Sequence, residues 1–84
     1  MNADRIEVAS WLALWFKERR LDLNLSPHDN YFELGAIDSF GVIELIEATE
    51  TRFKIHFTET DFQDRRFTTL DGLAGMISEK TSNG

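Results

Sequence analysis

The chain has 84 residues, no cysteine and a formal net charge of -6, with 42% hydrophobic and 29% charged residues. A domain this small hides only ~60–65% of the surface its unfolded chain exposes, so packing must hold a modest core. The lack of cysteine excludes a disulfide scaffold, a zinc–thiolate centre and thiol chemistry from the chain's own side chains. The acidic balance argues against a nucleic-acid footprint, and no apolar run approaches the ~20 residues of a membrane span.

Residues 5–20 carry the first helical pattern. Val8, Leu12, Trp15 and Phe16 recur at helical spacing, Trp11 and Leu14 widen the stripe, and Lys17, Arg19 and Arg20 suit the negative end of the helix dipole. Leu21, Leu23 and Leu25 alternate in a short run ending at Ser26-Pro27, which reads as a loop tucking leucines inward. Tyr31, Phe32 and Leu34 are apolar anchors of a long first connection that ends at Gly35.

A second helix is predicted from about Asp38-Ser39 to Phe53, with Val42, Ile43, Ile46, Thr49 and Phe53 facing inward and Glu44, Glu47 and Glu50 facing outward. Thr58 followed by Asp61 signals a brief third helix over residues 59–64. Thr68 with Asp71 resembles a capping box opening the last helix, whose stripe is Leu70, Leu73, Ala74 and Ile77. Gly72 and Gly75 are expected to weaken that helix by up to ~1 kcal/mol each relative to Ala. The prediction is therefore an all-α, four-helix bundle: three substantial helices, a short third one and a long first loop. The whole chain, residues 1–84, forms one domain with its core at about 5–80 and a frayed tail at 81–84. Met1 to Arg5 lacks the pattern of a secretory signal, so a cytoplasmic monomer without membrane insertion is expected.

Charge is uneven. Residues 1–27 hold four acids and four bases, residues 28–64 nine acids and two bases, and residues 65–84 two acids and three bases. The middle of the chain is thus either a solvated acidic face or a docking surface steering basic partners.

Autonomous catalysis and metal binding are not expected. His28 and His56 stand in different loops, His28 as an exposed turn residue and His56 as a surface or half-buried one, and no phosphate loop, metal-ligand spacing or nucleophile motif is present. In Gly35-Ala36-Ile37-Asp38-Ser39-Phe40-Gly41, Asp38 and Ser39 are favoured helix caps. The same position also tolerates an anionic phosphate on the serine oxygen, because the helix start offers free N–H groups and positive potential. A serine without a nearby base needs a second protein for any reaction.

The segment Glu33-Leu34-Gly35-Ala36-Ile37-Asp38-Ser39-Phe40, continued by Val42-Ile43-Glu44-Leu45-Ile46, resembles the acyl carrier and peptidyl carrier protein superfamily. The likeness extends to the apolar first helix, to Phe53 followed by Ile55, to the acidic turn at Glu59 and Asp61, and to Thr68-Thr69-Leu70. The resemblance implies a carrier rather than an enzyme. Ser39 would receive 4'-phosphopantetheine from coenzyme A through a magnesium-dependent phosphopantetheinyl transferase, with Asp38 in support. Acyl or aminoacyl groups would ride as thioesters on the arm's thiol. An activating ligase and a downstream acyltransferase or synthase would be further partners. It also implies that Phe40, Ile43, Glu44, Glu47 and Glu50 of the second helix form the partner surface. Two residues separate Gly35 from Asp38 where fatty-acid carriers usually have one, and Phe40 replaces the usual Leu. The form is closer to stand-alone specialised carriers, including D-alanyl and peptidyl carriers and those of polyketide or surface-glycan pathways. An unmodified helical interaction module, with Ser39 only a cap, is the alternative from another class.

Overall fold

The computed structural model describes residues 4–19, 26 and 28–83. Four α-helices follow one another: α1 (Arg5–Arg19), α2 (Ser39–Phe53), α3 (Glu59–Gln63) and α4 (Leu70–Asn83), with a 3₁₀ turn over Arg65–Thr68 before α4. Among the described residues there is no strand, only a single antiparallel bridge between Asn30 and Thr69. The all-α bundle expected from the sequence is what forms. The predicted leucine loop, Arg20 and Pro27 lie outside the described residues. Helix α4 continues through Asn83, so residues 81–83 extend it instead of forming a tail.

The core follows the helical periods, with instructive exceptions. Val8, Leu12 and Phe16 of α1 meet Leu70, Leu73, Ala74 and Ile77 of α4, and these two helices pack directly on one another. Trp11 and Trp15 are half-buried, and Trp11 meets Phe53 of α2 edge-on at 5.3 Å. Leu14, placed in the stripe by sequence, is 54% exposed. On α2 the inward line is Gly41, Leu45 and Thr49. Ile43, expected inside, is 56% exposed, because two residues from Leu45 puts it about 160° around the helix. The buried Thr49 hydroxyl donates to the Leu45 and Ile46 carbonyls at 2.9 and 3.0 Å, so its polarity is satisfied within its own helix.

The short third helix has the capping box that its sequence announces. The Thr58 hydroxyl accepts from the Asp61 N–H, and the Asp61 carboxylate accepts from the Thr58 N–H at 2.7 Å. Asp61 also pairs with Lys80 of α4 at 2.7 Å. Burial pushes the Asp61 carboxyl up, but the bonds from Lys80 and Thr58 outweigh it and leave its pKa below the ordinary value. At the start of α4 the cap is Thr69, not Thr68: the Thr69 hydroxyl accepts from the Gly72 N–H at 3.0 Å, while the Thr68 hydroxyl turns back to the Arg65 carbonyl. The 3₁₀ turn takes Thr68 into its last position, which shifts the helix start by one residue.

Candidate functional site

The long first loop ends in a series of tight bonds that aim the start of α2. The Asn30 carboxamide oxygen accepts from the N–H groups of Phe32 and Glu33 at 2.9 and 3.1 Å, a local turn of the kind Asn favours. Tyr31 is fully buried, its hydroxyl donates to the Phe67 carbonyl, and its N–H donates to the Thr68 carbonyl. Of the three aromatic and aliphatic anchors expected in this loop, only Tyr31 is inside, whereas Phe32 and Leu34 are exposed. Gly35 then takes a left-handed φ of 71°, which a side chain would resist, and reverses the chain. Ala36 and Ile37 are buried behind it.

Asp38 is the cap of α2. Its backbone is extended and its Oδ1 accepts from the Gly41 N–H at 2.7 Å. Gly41 allows this closeness, since a Cβ there would stand 2.8 Å from Ile37 Cγ1 and 3.2 Å from Asp38 Oδ1. Ser39 is consequently the first residue inside the helix rather than its cap. It is exposed, and among the described residues nothing hydrogen-bonds its hydroxyl. A groove of ≈ 450 Å³ lined by Arg19, Gly35, Ala36, Ile37 and Asp38 opens at the base of this turn. An accessible, unengaged hydroxyl at the open end of a helix fits a bulky phosphate ester; a buried or capping serine would not.

The outward face of α2 sorts the other residues singled out by sequence. Phe40 is 71% exposed beside Ser39, and Ile43 continues that ridge one turn on. Glu47 is exposed. Glu44 is held by Arg19, Nη1 to Oε2 at 3.1 Å and Nη2 to Oε1 at 3.3 Å, and the guanidinium lies 4.8 Å above the Trp15 ring. Glu50 is turned toward the following loop, where its Oε2 accepts from the Phe57 N–H at 2.9 Å. The sequence offered Arg19 only as a cation suited to the end of α1; its spacing from Glu44, twenty-five residues along the chain, gave no sign of the pair. His56 sits just past the far end of α2, almost wholly exposed, about 22 Å of helix rise from Ser39. Among the described residues there is no cluster of metal-ligating side chains, and no helix long and apolar enough to cross a membrane.

The family profile described as a phosphopantetheine attachment site matches residues 12–77, spanning the second half of α1, the site turn, α2, α3 and most of α4. The chain belongs to the phosphopantetheine-binding carrier proteins, and 4'-phosphopantetheine is its covalently attached cofactor. It is 37% identical over 54 residues to the D-alanyl carrier protein of Bacillus subtilis (strain 168). It is 35% identical over 54 residues to the D-alanyl carrier protein of Bacillus velezensis (strain DSM 23117 / BGSC 10A6 / LMG 26770 / FZB42). Each alignment covers 64% of this chain and 69% of the relative. No solved structure matches the chain.

Proposed function

We propose that Ser39 is the attachment site and that the protein carries acyl or aminoacyl groups from an activating ligase to a downstream acyltransferase, in the cytoplasm. The observation that carries this reading is the division of labour at the start of α2. Asp38 does the capping, which leaves the Ser39 hydroxyl exposed and free within the matched region. When bound, the group supplies the thiol that the chain lacks, on which cargo is held as a thioester. The chain itself offers Ser39 as the acceptor and holds it still. It supplies no hydrogen-bonded base to the hydroxyl, so activation of the nucleophile falls to the transferase.

Small cargo is the second element of the proposal. Phe57, Phe62 and Phe67 contact one another at ring-centre distances of 5.3 to 6.1 Å, filling the space among α3, the 3₁₀ turn and the loop before α3. Phe40, 71% exposed, takes no part in that cluster. Three rings packed edge-on and tilted there, Phe67 buried and Phe62 at the surface, occupy space that a long chain would need and favour a short or aminoacyl cargo kept outside the bundle. The two D-alanyl carrier relatives support the same reading. Incubation with coenzyme A, magnesium and a broad-specificity phosphopantetheinyl transferase should add one phosphopantetheinyl mass, placed on Ser39 by peptide fragmentation. Ser39→Ala should gain none while keeping its helical circular dichroism and, within ~0.5 kcal/mol, its stability, as expected for an exposed side chain without partners. A mass gain in the Ser39→Ala protein, or none in the parent, would show the assignment to be wrong.

A further inference from the structure

Phe40, Ile43, Glu44 and Glu47 lie within about 100° of arc on α2 and share one face with the approach to Ser39. By sequence that face is acidic. In the folded chain part of that charge is answered from within. Glu44 is doubly bonded by Arg19, whose guanidinium is fixed from behind by the Trp15 ring. Glu47 shares with Arg19, Glu44 and Arg52 a groove of ≈ 530 Å³ between α1 and α2, so two arginines border the two acids. Glu50 is committed to the Phe57 N–H. Beside the exposed Glu47, the face presents two apolar side chains, Phe40 and Ile43, 71% and 56% exposed.

We infer that Arg19, on a different helix from the site, is a specificity-determining residue of the docking face: by holding Glu44 it makes the face an apolar ridge in balanced charge, suited to a transferase cleft that is apolar rather than basic. The inference rests on Ser39 being the attachment site. Arg19 acts through Glu44 and needs no contact with the reacting atoms. A strongly basic cleft would find no net negative charge at mid-helix and would meet two arginines at its border. An apolar cleft loses nothing by excluding water from Phe40 and Ile43, and its encounter with the face depends little on salt.

The test is a four-member cycle, the parent, Arg19→Gln, Glu44→Gln and the double variant, each scored by kcat/KM for transfer from coenzyme A at several ionic strengths. The parent should show a shallow salt dependence. Arg19→Gln bares Glu44 and Glu44→Gln bares Arg19, so each leaves an unpaired charge that an apolar cleft must desolvate, and each should lower the rate about two- to fivefold at every ionic strength. The double variant, neutral at both positions, should return to within about twofold of the parent. Phe40→Ser should cost about tenfold at every salt concentration, as removal of an apolar anchor does. Losses in both single variants with restoration in the double variant support the inference. Opposite signs in the two single variants, no change in Arg19→Gln, or a steep salt dependence in the parent overturn it. Melting temperatures of all variants separate these outcomes from a folding defect, since an exposed ion pair contributes little to stability. The site of modification reports independently on Ser39: label on Ser39 with the wrong pattern of rates leaves the attachment reading standing and removes only the role given to Arg19.

Discussion

Asp38 and Ser39 are neighbours of similar capping ability, yet the chain uses them for different purposes. Asp38 supplies the oxygen that the Gly41 N–H needs, and does so because Ile37 and Gly41 let the backbone come within reach. Ser39, already inside the helix, has no structural duty to lose. Physical economy therefore points to opposite consequences for the two substitutions. Asp38→Ala should cost about 1 kcal/mol by removing the cap, and should loosen the first turn of α2. Thermal unfolding and hydrogen exchange at the Gly41 amide would register it. Ser39→Ala should leave both measures unchanged. If the two variants proved equally stable, Asp38 would not be the cap that the geometry describes. A lowered modification rate in Asp38→Ala then has a structural component, readable as faster exchange at Gly41, apart from any contact it makes with the transferase.

The elements differ in how openly the sequence announces them. Helices α1, α2 and α4 were legible because their apolar residues recur every three to four positions, and α3 because Thr58 and Asp61 stand at capping-box spacing. The 3₁₀ turn was not legible: four residues, Arg65–Thr68, carry no period, and its only external sign is that it displaces the cap of α4 from Thr68 to Thr69. Leu14 and Ile43 misled for a related reason, since helical spacing tolerates a wide stripe and only the packing partner decides its edge. Ser39, the proposed attachment serine, stands out through family likeness; capping propensity alone does not separate it from Asp38. The two glycines of α4 show the limit of propensity most directly. Both were read as weak points, but a Cβ on Gly72 would stand 2.4 Å from the Arg66 carbonyl oxygen and 2.6 Å from Arg66 Cα, whereas one on Gly75 would meet only Arg5 Cδ at 3.7 Å. Gly72 is what allows α4 to cross the 3₁₀ turn at close range. Gly72→Ala should therefore destabilise by about 1–3 kcal/mol, the range for forced overpacking, and Gly75→Ala should stabilise by up to about 1 kcal/mol. Urea unfolding of the two variants gives the signs, and a stabilising Gly72→Ala would mean that the turn yields more easily than its backbone contacts suggest.

At the scale of the whole molecule, which measures 35 × 24 × 21 Å, Tyr31 is the largest side chain that ties the site loop into the core. Tyr31 is the chain's single tyrosine. Its ring packs against Phe16 of α1 and Phe32 of the loop, both at 5.0 Å between centres, and its hydroxyl donates to the Phe67 carbonyl in the 3₁₀ turn. Through Tyr31 the position of Gly35 and Asp38 is tied to α1 and to the segment that opens α4. Burial pushes the phenol well above its ordinary value of 10.0, because ionisation would leave a charge without water. The sign of the linkage follows. The folded state holds the phenolic proton more tightly than the unfolded chain, so the full contribution is present below about pH 10 and is lost as pH rises above it, at no more than about 1.4 kcal/mol per pH unit. Tyr31→Phe removes the proton but also strands a buried carbonyl, which should cost about 1–3 kcal/mol at neutral pH. The difference between parent and variant, measured by urea unfolding, should then shrink above pH 10 as the parent alone meets the phenolic penalty. The lysines, which titrate in the same range, are common to both proteins and cancel in the comparison. A jump to pH 11.5 offers an independent reading. Tyrosinate absorbance should rise at the rate of unfolding followed by circular dichroism, not within the mixing time. Immediate ionisation with the helices intact would place Tyr31 in contact with water and detach the site loop from the core that is argued to hold it.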